Sequence, residues 1–235
     1  MIIIDTIYQR VLAIANKEQR GYITPQEFNL FANQAQIDIF EQYFYDINQF
    51  GNIPENATEY SNIEDLTDEK LGSFKHRENA PSNLGGSLWL IPNYVYKFGT
   101  VKYQQKYIVD EIKEDQLMHV LQSPLTTPTK TRPAYVRFAH NITGQNVFEA
   151  YPNSLNSQIS FTYIRKPNTV NWGYAVINDK ALYDATTSIN FELHPSEEKE
   201  LVLKILALAG IMIKDAGLYQ TASSEEQKNI QQEKQ

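Results

Sequence analysis

The side chains with most chemistry to offer in this 235-residue chain are four histidines, 28 acids and one Ser-x-x-Lys run. His76, His119, His140 and His194 stand far apart, and none makes the i, i+4 pair that lets two imidazoles on one helix face hold a metal. Each reads as a surface or turn residue. Ser196-Glu197-Glu198-Lys199 lacks the companion motifs of the Ser-x-x-Lys hydrolases, and its acids suit the start of a helix. Asp46 to Gly51 opens like a calcium loop, but Phe50 takes a ligand position and Ala57 stands where a bidentate Glu belongs. There is no Gly-x-Ser-x-Gly, phosphate-binding loop or dinucleotide fingerprint; Gly85-Gly86 is the only close glycine pair. The absence of Cys removes thiolate zinc, iron–sulfur and cysteine-nucleophile chemistry together. A glycosidase would need two carboxylates held at a set separation, and no spacing picks out such a pair. The expectation is a protein with no catalytic, cofactor-binding or metal-ligating residues.

Composition narrows the class further. With 42% hydrophobic residues the chain can bury a substantial core, which excludes a fibrous or wholly disordered protein. A net charge of -7 argues against sequence-independent nucleic-acid binding, which draws its affinity from clustered cations. Met1 to Asp5 lacks the pattern of a secretory signal, so cytoplasmic synthesis is expected and the sequons at Asn56 and Asn141 carry no weight. The most apolar run, Leu201 to Ile213, contains Lys204 and is too short to span a bilayer.

The elements that must position any site follow from periodicity. Ile7, Val11, Ile14 and Ala15 mark a helix with Asp5 as its cap. Thr24-Pro25-Gln26-Glu27 is a capping box that opens a second helix running to about Phe50. Residues 51–86 read as an irregular loop with one short helix near 62–75. From Ser87 onward come short β-rich runs at Leu88, Tyr94, Tyr107, Ala134, Asn146, Gln158, Gly173 and Ser188, broken by a helix near 113–121. A nearly all-apolar helix follows Pro195 and runs to about Ala222, ahead of a polar tail. The expected fold is α+β: a helical bundle made from the N-terminal helix pair and a long C-terminal helix, with an inserted, mostly antiparallel β domain. Its boundaries are 1–86 with 193–235 for the bundle, and 87–192 for the β domain. Phe28, Phe31, Phe40 and Phe44 of the second helix, with Leu201, Ile205, Leu206, Leu208 and Met212 of the last, are the expected bundle and oligomer interface. The apolar surface of the β segment and last helix exceeds what short strands cover, which points to an oligomer.

Three stretches carry a resemblance. They are Val11 to Asn29 followed by Phe31-Ala32-Asn33-Gln34-Ala35-Gln36; Val147-Phe148-Glu149-Ala150-Tyr151-Pro152 with Ile159 to Pro167 and Trp172-Gly173-Tyr174; and His194 to Val202 continuing through Ala209-Gly210-Ile211. Together they resemble the head-to-tail connector, or ring, proteins of short-tailed bacteriophages, most closely those of crAss-like phages. The resemblance implies a structural virion protein that forms a ring, commonly of twelve copies, beneath the portal and lines the DNA exit channel. Its implied partners are further copies of itself, the portal protein and adjacent tail ring proteins, with genomic DNA passing without specific binding and no membrane. The tail residues Ser223, Glu225, Glu226, Lys228 and Ile230 are expected to order on such a partner. The alternative is a carbohydrate- or receptor-binding module of a phage tail, with Trp89, Trp172 and Tyr174 on a β scaffold.

Overall fold

In the computed structural model, residues 1–17, 23–50, 68–140, 144–178, 180–212 and 224 are described. The chain divides into two compact units, Met1–Ser73 with Pro167–Gln235, and Phe74–Lys166. The boundaries expected from composition, 86/87 and 192/193, fall elsewhere because residues 74–86 pair into the sheet of the second unit, while Asn168, Val170 and Trp172 bond to Gln36, Asn33 and Asn29 of the first.

The first unit is built on helices α1 (Ile4–Lys17), α2 (Pro25–Phe50) and, at its C-terminal side, α4 (Glu198–Met212). Thr24 and Glu27 form the reciprocal cap that their spacing predicts: Thr24 N–H donates to Glu27 Oε2 at 2.9 Å and Glu27 N–H to Thr24 Oγ1 at 3.3 Å. Thr24 N–H and, at 2.8 Å, the Thr24 hydroxyl both donate to Oε2 and hold the Glu27 carboxyl below its usual range. A depressed carboxylate contributes stability above the unfolded carboxylate range and loses it as pH falls through its folded value. Glu27→Gln should therefore lower the melting temperature at neutral pH and make little difference once carboxylates are protonated, as thermal melts at both pH values would show.

Asp5 is not the cap of α1. The helix begins at Ile4, whose N–H donates to Asn190 Oδ1, and Asp5 accepts the indole N–H of Trp172 at 3.0 Å. Three amides one and two turns apart on α2 grip the returning chain. Asn29 accepts from Trp172 N–H at 2.7 Å, Asn33 exchanges two bonds of 2.9 Å with Val170, and Gln36 donates to Asn168 O at 2.8 Å. Gln36 is fully buried, and its amide oxygen in turn accepts from Glu192 N–H at 3.3 Å. α4 packs against α1 and α2 and buries Leu201, Ile205, Leu206 and Ala209. A two-stranded ribbon, β9 (Tyr174–Ile177) with β10 (Lys180–Tyr183), completes this unit. Residues Ser188 to Phe191, expected as a strand, make only isolated bridges, Asn171 with Ile189 and Ile2 with Phe191.

The second unit is an eight-stranded sheet with a helix, α3 (Glu114–Gln122), set between β5 and β6. Its strands are β1 (Lys75–Glu78), β2 (Asn83–Gly85), β3 (Leu88–Leu90), β4 (Val95–Tyr103), β5 (Tyr107–Glu111), β6 (Ala134–Ala139), β7 (Asn146–Tyr151) and β8 (Ile159–Arg165). They lie in the order β1-β8-β4-β5-β6-β7-β3-β2, antiparallel throughout except for β5 beside β6. One face carries the core, in which Phe98, Phe148, Phe161 and Tyr163 meet at ring-centroid distances of 4.9 to 6.0 Å.

This architecture overturns the expected helical bundle with a long C-terminal helix. A curled, mixed eight-stranded sheet dominates the fold, and the last described helix has 15 residues. The extension expected to about Ala222 lies outside the described residues. Two causes misled the sequence. α4 is apolar nearly all round because α1 and α2 cover it within one unit, which does not require a long bundle. β1 and β2 are short, exposed edge strands without alternation, so their sequence reads as loop, and only pairing with β8 and β3 makes them strands. Among the described residues no helix is long and apolar enough to cross a membrane.

Candidate interaction surface

The residues expected at a bundle or oligomer interface lie mostly inside the first unit. Phe28, Phe40, Leu201, Ile205 and Leu206 are buried by their own chain, and Phe31, Phe44 and Leu208 are half-buried. They form a core and present little surface to another copy. Met212 ends α4, and its side chain, like Ser223, Glu225, Glu226, Lys228 and Ile230, lies outside what is described. Of the aromatics proposed to bind sugar, Trp89 and Trp172 are 4% and 2% exposed, and Trp172 is covered by Tyr8, Tyr174 and Tyr183. Neither indole offers the open face that sugar stacking needs. The four histidines do not gather: His76 lies against Tyr163, His194 Nδ1 caps Ser196 N–H, and among the described residues no three His, Asp or Glu side chains cluster as a metal site would need.

Charge is divided unevenly between the two units. Residues 74–166 hold eleven Lys and Arg against six Asp and Glu, a net +5, while the other unit holds ten against 22, a net -12. The whole-chain value of -7 conceals this separation.

Strand register places part of the positive charge on one sheet face. Paired residues on neighbouring strands project to the same side. Lys75, Ile164 and Lys97 therefore form one row across β1, β8 and β4, and Arg77 and Thr162 form the next. Residues between them, His76, Tyr163 and Phe98, project the other way. Lys75, Arg77 and Lys97 are exposed, and with Ile164, Gly99 and Thr162 they line an open groove of about 710 Å³. Three strands at the usual spacing make such a face about 10 Å across, close to the diameter of a helix.

Gly99 shapes the groove. β4 shifts register between Phe98 and Val101, and the Thr162 hydroxyl fills the bulge, accepting from Thr100 N–H at 3.0 Å. A Cβ on Gly99 would stand 2.7 Å from Thr162 Oγ1 and 2.9 Å from the Thr162 carbonyl, too close to backbone to be relieved by a rotamer change. Gly99→Val should destabilise the protein by about 2 kcal/mol, read from denaturant unfolding, since overpacking a fixed contact typically costs 1–3 kcal/mol. An unchanged midpoint would show that the bulge tolerates a side chain.

Lys75, Arg77, Lys97 and the three amides of α2 were not singled out in the sequence. A segment-by-segment charge count finds the cations once 74–166 is separated from the rest; nothing local distinguishes the amides from solvent-facing ones. No protein-family model matches this chain, and comparison with curated proteins gives no match.

Proposed function

We propose that this chain is a non-catalytic structural protein of a short-tailed bacteriophage, forming an oligomeric ring that joins the portal to the tail. The observation that supports this beyond the sequence resemblance is the opposite charge of its two units. A ring grows by a heterologous contact in which two different patches of one subunit meet the complementary patches of its neighbours. A subunit with a -12 unit and a +5 unit carries such a pair and repels its own like-with-like pairing. The acidic unit is the part suited to line a DNA channel, because like charges keep the duplex from adhering to the wall. The portal, adjacent ring proteins and further copies of the chain are its partners, and the assembled virion is its site.

Light-scattering mass and negative-stain images of the purified protein, alone and mixed with the portal of the same phage, test this. A ring with a central channel in either sample is the expected result. A compact monomer in both would overturn the reading.

A further inference from the structure

The ribbon of β9 and β10 has two open edges. Asp184 N–H donates to Gly173 O at 2.9 Å, and from there the register runs through Tyr183 opposite Tyr174 to Lys180 opposite Ile177. Opposed residues of an antiparallel pair exchange hydrogen bonds at every second step. The bonded pairs are therefore Gly173 with Asp184, Ala175 with Leu182 and Ile177 with Lys180. Tyr174, Val176, Ala181 and Tyr183 turn their backbone N–H and C=O outward, and among the described residues no third strand meets them. Tyr174 and Tyr183 hold the base of the ribbon against the Trp172 ring. The outer part is bare, with Val176, Ile177 and Leu182 65%, 53% and 50% exposed. Val176 shares the face of Tyr174, while Ile177 and Leu182 lie on the opposite one, so both faces are apolar. That is the pattern of a strand covered on both sides.

We infer that the edges of this ribbon pair with those of further copies, β9 of one chain adding to β10 of the next. Charge selects that occupant. The terminal strands of the eight-stranded sheet are guarded: β1 is Lys75-His76-Arg77-Glu78, and β2 has three residues ending in Gly85 at positive φ. Charge and shortness are devices that keep sheet edges from pairing. β9 has no ionised side chain, β10 has Lys180 alone, and neither contains Pro. An uncharged, apolar edge matches another of the same kind, and among the described strands those two edges are the ribbon's own. Pairing β9 with β9 would leave both β10 edges open, whereas head-to-tail addition occupies both edges of every copy and closes into a ring. A lone two-stranded ribbon is marginal in water, and added strands supply the support that its own chain does not. The inference rests on the ring-forming reading and assigns its subunit contact.

The chain has no cysteine, so single cysteines report contacts cleanly. Full-length Val176→Cys and Ala181→Cys, carrying tags of different size, are mixed in equal amounts and treated with a short bismaleimide whose span covers a two-residue shift of register, about 7 Å. A mixed dimer on a denaturing gel, with none from either variant alone, is the expected result. Ala181→Pro removes an outward N–H and leaves the ribbon's own ladder intact, which an open edge tolerates. It should raise the concentration needed for assembly at least tenfold while keeping the wild-type circular dichroism and a cooperative melt; assembly at the wild-type concentration would overturn the pairing. Absence of the mixed cross-link, or self-cross-linking of either variant, overturns the contact. Rings seen in a sample without the cross-link would leave the ring-forming reading standing, and a monomer would remove both. Cross-linking to the portal in place of a second copy would assign the edge to a strand of that partner and overturn the inference.

Discussion

Leu206→Asp yields a chain that does not fold. Leu206 is 3% exposed on the side of α4 that packs into the first unit, among Leu201, Ile205 and Ala209, which are themselves fully covered. Replacing it removes a buried side chain worth about 2–5 kcal/mol and asks the same space to hold a carboxylate with no partner, which costs several kcal/mol more. A domain has about 5–15 kcal/mol of stability to lose. The expected observation is insoluble protein, or a soluble chain with no cooperative thermal transition by circular dichroism. Leu206→Ala keeps the test sharp, because it leaves only a cavity and should fold with a lower melting temperature. A wild-type melt for the Asp variant would remove Leu206 from the core.

Lys70→Met should cost about 3–5 kcal/mol, the usual penalty for removing one partner of a buried ion pair. Lys70 Nζ lies 2.7 Å from Glu197 Oε1, and the Glu197 side chain is 3% exposed where the short turn Pro195–Glu197 leads into α4. Ser196 Oγ donates to the same oxygen at 3.0 Å, which one hydroxyl cannot turn into a stable home for a full charge. Unfolding in urea measures the loss. Lys70→Met with Glu197→Gln should recover most of it, since a neutral amide needs no counter-charge. If the single and double variants lose equal stability, the pair carries no specific coupling and Lys70 acts through its stem alone.

Local signals were legible where a few adjacent residues decide the outcome. The capping box at Thr24 and Glu27 is set by a four-residue pattern, and α2 starts where that pattern puts it. The strands near Ala134, Asn146 and Gln158 also appear close to their expected limits, because β-branched and aromatic residues cluster there between turn residues. Lys75 to Glu78 was opaque: four polar residues form a strand only because Phe161 to Ile164 supply the matching edge more than 80 residues later. Asn29, Asn33 and Gln36 were opaque for the same reason, since the backbone they grip returns more than 130 residues downstream.

The sequence by itself determined the α+β composition, the apolar faces of the helices and the want of catalytic motifs, all of which depend on residue type and short spacing. Only the tertiary structure decided that a sheet dominates the fold, that Phe28, Phe40 and Leu206 serve one unit's core, and that Lys75, Arg77 and Lys97 share a face. Strand order and burial are set by contacts between distant segments, whose stability comes from the apolar area they remove from water together, and no local window of residues contains that quantity.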